Sequence, residues 1–182
     1  MARNIEIKAR MSNLDSIRAK ARSLASRPSE ILEQTDTFFM VPRGRLKVRA
    51  FSDGSGELIV YERPDHRGPR ESTYLRCACP NARLLVEMLS RVLSTRGAVV
   101  KRREVFLVGR TRVHLDEVED LGLFVELEVV LRDGEPAEQG EREAYELLQT
   151  LDIPQSALVA GAYIDLLENA AAKQHPSPVT TR

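Results

Sequence analysis

The sequence predicts an α+β domain: an antiparallel sheet of eight strands, a number at which a sheet closes into a β-barrel, flanked by α-helices. Three observations predict it. Apolar and polar residues alternate with a period of two in one segment after another, the signature of a strand with one packed face. Short turn-forming joints separate these segments, and short joints make antiparallel neighbours. Finally, five of the segments carry an all-polar second face whose charges are sorted by sign.

The first strand is RNIEIKAR, with Ile5, Ile7 and Ala9 on one side and Asn4, Glu6, Lys8 and Arg10 on the other. A helix follows, in which Leu14, Ile17, Ala21 and Leu24 recur at helical spacing behind Ser12 or Asn13 as cap. Strands are then expected at 34–41, 45–51, 57–63 and 71–78, joined by PRG, SDGSG and PDHRG. Pro80 opens a second helix with Leu84, Leu85, Met88, Leu89 and Val92 as its buried stripe. Three more strands (98–109, 110–118, 123–131) and two proline-led helices (137–150, 155–169) complete one domain over 1–170, leaving 171–182 as a disordered tail.

A chain of 182 residues suits one domain with its own core, and its 27 basic and 27 acidic side chains balance. Balance disfavours a nucleic-acid partner, which selects for basic excess. No stretch reaches the roughly 18 apolar residues of a membrane span, so no membrane partner and a cytoplasmic location are expected. Cys77 and Cys79 are too few for a disulfide framework and are read as reduced thiols. His66, His114 and His175 show no metal-ligand spacing, and His114 is read as structural.

The polar faces hold the functional signal. Arg43, Arg45, Lys47 and Arg49 fall at every second position, and Lys101 and Arg103 share a face, as do Arg112, His114 and Asp116, and Glu126 and Glu128. A flat sheet would put them all in water, but solvated faces usually mix their signs. Turned into a lumen, these charges need compensation, which a polyanion and a divalent metal supply together: carboxylates suit Mg²⁺ or Mn²⁺, and Arg and Lys suit phosphate. Lys8, amid other cations, is the candidate base.

The strands Asn4-x-Glu6-x-Lys8 and Arg45-Leu46-Lys47-Val48-Arg49, the pair Lys101-x-Arg103, and the stretches VHLDEVEDLGLFVELEV and GAYIDLL together resemble the CYTH superfamily, or triphosphate tunnel metalloenzymes, from about residue 3 to 168. The resemblance implies a closed eight-stranded tunnel that binds a triphosphate. Glu6, Glu126 and Glu128 become metal ligands with Asp116 as helper, while Lys8, Lys47, Arg49, Arg63, Lys101, Arg103 and Arg112 bind phosphate. Lys8, Glu126 and Glu128 form the catalytic set. The implied substrate is ATP, thiamine triphosphate or inorganic triphosphate. Class IV adenylate cyclase-like chemistry is favoured over a triphosphatase or a non-catalytic sensor, and a homodimer stays open. In one departure, Asn4 stands where the family's motif has Glu, and its amide brings no negative charge.

Overall fold

A computed structural model describes residues 2–174. The elements run β1 (Ala2–Met11), α1 (Asp15–Leu24), β2 (Glu30–Phe39), β3 (Arg45–Phe51), β4 (Gly56–Glu62), β5 (Arg70–Cys79), α2 (Ala82–Ser90), β6 (Thr95–Val108), β7 (Thr111–Val118), β8 (Gly122–Val130), α3 (Ala137–Thr150), a short 3₁₀ turn (Gln155–Ala157) and α4 (Tyr163–Gln174). The eight strands close into an antiparallel barrel in the order β1-β5-β4-β3-β2-β6-β7-β8. Closure abolishes the sheet's free edges.

The barrel packs with its apolar face outward. Ile5, Ile7 and Ala9 of β1 join Val113, Leu115, Val125, Leu127 and Val129 of β7 and β8 in the main core, which α1 covers with Leu14, Ile17 and Ala21 and α3 with Ala144, Leu147 and Leu148. Gly140 permits this approach, because a Cβ there would stand 2.7 Å from both Ile5 and Leu131. Since the helices cover the apolar faces, every alternate residue on these strands must point into the lumen.

α3 spans 137–150 behind Pro136, as expected from the sequence. Four details differ. Leu14, not Ser12 or Asn13, is the first residue before α1, although the Asn13 side chain still accepts the Asp15 N–H at 2.6 Å. β2 starts at Glu30, because its register with β6 extends that far.

α2 is short and touches the barrel on one side only. Leu85, Val86 and Leu89 pack over Val48, whereas Leu84, Met88 and Val92 of the expected stripe are exposed, Met88 at 58%. Pro154 introduces only the 3₁₀ turn, not a helix over 155–169. The chain then runs extended past β1, where Leu158 bridges to Ala9, turns at Gly161 (φ +81°) and starts α4 at Tyr163. α4 continues to Gln174, through the first residues of the expected tail; the rest of that tail lies outside the described residues. Ala162, Tyr163 and Ile164 fill the adjoining end of the barrel against Phe38, Val99 and Phe124.

Candidate functional site

The lumen forms a cavity of about 320 Å³. Its wall includes Glu6, Lys8, Lys47, Arg49, Arg63, Lys101, Arg103, Arg112, Glu126 and Glu128, so ten of the residues singled out in the sequence meet in one space. Strand pairing explains how. Lys8, Glu126 and His114 are directly opposed across β1, β8 and β7, and Glu6, Glu128 and Arg112 form the next rung. Opposed residues share a face, so each rung brings its three side chains together.

On the arc made by β2, β3 and β6, three cations converge on one carboxylate. Asp36 accepts hydrogen bonds from Lys47 Nζ (2.8 Å), from Arg49 Nε and Nη2 (2.8 and 3.0 Å) and from Lys101 Nζ (2.7 Å). Burial would raise the Asp36 pKa, but Arg49, Lys101 and Lys47 hold it well below the usual carboxylate range. Lys101 is brought down to about 7, chiefly by burial, and the neighbouring cations oppose the pull of Asp36. Asp36 is absent from the sequence-derived site, although Gln34-x-Asp36-x-Phe38 alternates like the other lumen strands and all three residues line the cavity.

On the arc of β7, β8 and β1, each carboxylate holds a cation. Lys8 Nζ lies 3.0 Å from Glu126 Oε1 and 3.6 Å above the centre of the Tyr163 ring, and donates to the Gly161 carbonyl at 3.3 Å. Burial lowers its pKa to about 8, with Glu126 pulling upward. Arg103 grips Asp116 with two hydrogen bonds (2.6 and 2.5 Å) and reaches Glu126 Oε2 at 2.5 Å. Arg112 donates to Glu128 at 2.9 Å, and Arg63 to Glu6 at 2.5 Å.

The expected metal set is drawn differently by this geometry. Asp116 is fully buried behind the lining, with both oxygens taken by Arg103 and one also by the Tyr163 hydroxyl at 2.8 Å; it positions Arg103. Glu6 is turned to Arg63. Among the described residues, the ligand atoms that gather within 4.8 Å of one another belong to His114, Glu126 and Glu128. Two carboxylates and an imidazole are a donor set that suits a divalent ion. Arg45, near the lumen in the sequence reading, pairs instead with Asp65 and Asp165 at the outer mouth, and Arg43 is exposed.

Several buried polar atoms of the site lack partners: Asn4 Oδ1, Gln34 Oε1, His114 Nδ1, and Nε and Nη2 of both Arg63 and Arg70. Arg70 directly opposes Glu6 across β1 and β5, and was missed in the sequence because a single arginine at a strand start carries no pattern. Buried polar groups cost free energy unless something satisfies them, and these lie together around one cavity.

The closed antiparallel barrel with a charged lumen defines a tunnel-fold protein. A family model described as CYTH domain matches residues 2–163, and the chain belongs to the CYTH family. Among solved structures it resembles the PH1012 protein of Pyrococcus horikoshii OT3, with a TM-score of 0.80 and 26% identity over 90% of this chain and 98% of that one. It also resembles a Vibrio parahaemolyticus protein assigned as an adenylate cyclase (TM-score 0.74, 18% identity, 91% and 97% covered). A third neighbour is the Hippeastrum protein HpAC1, assigned as an adenylyl cyclase and described as having a dominant triphosphatase activity (TM-score 0.62, 15% identity, 92% and 96% covered). A search of curated proteins returned no match. No described helix is long and apolar enough to cross a membrane.

Proposed function

We propose that this protein is a metal-dependent triphosphatase that holds a triphosphate chain along the lumen. The observation that carries the reading is the Asp36 cluster: three cations around one carboxylate leave an excess of positive charge facing the cavity, which a polyphosphate neutralises. Lys47, Arg49 and Lys101 bind phosphate oxygens from this side, and Arg63, Arg103 and Arg112 from the other. Phosphoryl transfer asks mainly for positioning and charge stabilisation, so the lumen need not supply a covalent nucleophile.

Glu126, Glu128 and His114 are the residues that would hold a divalent ion, which when bound offsets charge on the phosphate oxygens. Lys8 stands beside this group, and with a pKa near 8 its neutral fraction grows in mildly alkaline solution, where it takes a proton from the attacking water. Tyr163 and the Gly161 carbonyl fix the Lys8 ammonium from behind.

The charged lining favours hydrolysis: the groups that converge on the cavity of about 320 Å³ are those that hold and neutralise phosphates, which hydrolysis needs and which cyclisation must supplement with an ordered ribose whose 3′ oxygen stands at the α-phosphorus. The adenylate cyclase reading is supported by Phe38, Ile59 and Tyr61, an apolar and aromatic strip of the wall on which a base can lie.

The test is product analysis by chromatography with Mg²⁺ or Mn²⁺ and, separately, ATP, thiamine triphosphate and inorganic triphosphate. Orthophosphate release is the expected result and names the substrate. Cyclic AMP with pyrophosphate establishes the cyclase instead, and tight binding without product establishes a sensor.

A further inference from the structure

Every carboxylate oxygen facing the metal group is already spoken for by a cation, except on one side. Glu126 uses Oε1 for Lys8 and Oε2 for Arg103, and Glu128 uses Oε2 for Arg112. Glu128 Oε1 remains, and the imidazole of His114 lies beside it: its Nδ1 is 3.8 Å from Glu128 Oε1 and 3.9 Å from Glu126 Oε2, the oxygen that Arg103 holds, too far for a hydrogen bond to either. His114 is 4% exposed, and this nitrogen has no partner. Its other cross-strand neighbour is Val105, which offers nothing polar. A histidine retained for packing alone would have this nitrogen satisfied.

We propose that His114 is a nitrogen ligand of the metal, through Nδ1, and that it makes the site select a first-row transition ion over Mg²⁺. The inference rests on the metal-dependent reading above and extends it to ligand identity and metal choice. Two atoms each about 2.1 Å from one ion stand roughly 3 Å apart when cis and roughly 4.2 Å apart when trans, so separations of 3.8 and 3.9 Å sit within the span of a single coordination sphere. Imidazole nitrogen suits the borderline ions and adds little for Mg²⁺, which demands oxygen.

β1 contributes an amide at Asn4 and has its one carboxylate, Glu6, bonded to Arg63, so an oxygen-rich cage for Mg²⁺ is not assembled on that side. The nitrogen of β7 takes the place of a β1 carboxylate. The carboxylates of the acidic wall already hold cations, so an added dication is best retained when a triphosphate arrives with it and draws Lys8, Arg103 and Arg112 toward its oxygens.

The probe is Mn²⁺, with and without tripolyphosphate, followed by electron paramagnetic resonance. Loss of the free-ion signal reports binding, and pulsed spectra report nitrogen coupled to the bound ion. Expected are ¹⁴N coupling in the wild type, its loss in His114→Gln, and at least a tenfold fall in the preference for Mn²⁺ over competing Mg²⁺ in that variant. Should His114→Gln not fold by circular dichroism, His114→Asn replaces it, and the wild-type spectrum decides by itself whether nitrogen is bound. Bound Mn²⁺ without ¹⁴N coupling overturns the role of His114 and leaves the metal-dependent reading standing. No Mn²⁺ binding in either condition overturns both.

Discussion

Asp36 and Glu126 lie in one lumen and are surrounded in different proportions. Asp36 is one carboxylate among three cations, whereas on the arc with Glu126 each of the carboxylates Glu6, Asp116, Glu126 and Glu128 holds a cation of its own from Lys8, Arg63, Arg103 and Arg112, with Arg70 buried beside Glu6. The first arc has more cations than carboxylates to pair with them. On the second every carboxylate already holds a cation, and to accept a dication it must release these cations to something else. Under the proposed function a triphosphate would serve both arcs at once, so balanced overall charge is compatible with a lumen that takes a polyanion.

The sharpest way to break this comparison is at Glu126. Glu126→Gln removes the charge that sits between Lys8, Arg103 and the proposed ion while keeping shape and leaving Arg103 bonded to Asp116. Metal-dependent turnover is expected to fall by at least about 100-fold, beyond the 10- to 100-fold that losing an outer-shell partner costs. Steady-state assays over a metal titration check this, with circular dichroism to confirm the fold. Unchanged turnover would remove Glu126 from the site.

On the other arc the corresponding change acts on stability. Asp36→Asn strands three buried cations, and breaking a buried pair by deleting one partner costs about 3–5 kcal/mol. Thermal or urea unfolding is expected to show this loss and to show tripolyphosphate restoring more stability to the variant than to the wild type, since a bound anion replaces the missing charge. Equal stabilisation of both proteins would mean that the three cations are not where phosphate binds.

The sequence makes the two arcs unequally legible. Lys47, Arg49, Lys101, Arg103, Glu126 and Glu128 could be read because each stands in a run of strict alternation, and α3 because apolar spacing and Pro136 agree. Asp36 could not, since its importance arises from the registers of β2 with β3 and β6, which join residues far apart in the chain. The grouping of His114 with Glu126 and Glu128 was not legible for a related reason: it arises across neighbouring strands, and cross-strand pairing leaves no i, i+3 or i, i+4 spacing for a metal motif to show. The stripe on α2 was misread because the short helix meets the barrel along Leu85, Val86 and Leu89, which leaves Leu84 and Met88 outside the contact.

A smaller effect sharpens the comparison by following protons. Lys101 has its pKa depressed from 10.5 to about 7 because burial and the neighbouring cations outweigh Asp36, so in the free protein much of it is neutral above pH 7. The unfolded chain therefore binds more protons than the folded one between about pH 7 and 10.5, and this residue makes folding stability rise with pH across that window. A triphosphate at the Asp36 cluster reverses the balance by favouring the ammonium, so binding must take up protons over the same window and much less below it. Calorimetry of tripolyphosphate binding at pH 8 in two buffers of different ionisation enthalpy measures that uptake. Lys101→Arg, whose charge is fixed, is expected to take up fewer protons than the wild type by a substantial fraction of one per ligand. Lys8, with its pKa near 8 on the arc of Glu126, supplies the internal contrast: because Glu126 already offsets its charge, Lys8→Arg should change the uptake less than Lys101→Arg does. The reverse order would move the anion from the Asp36 cluster to the carboxylate side.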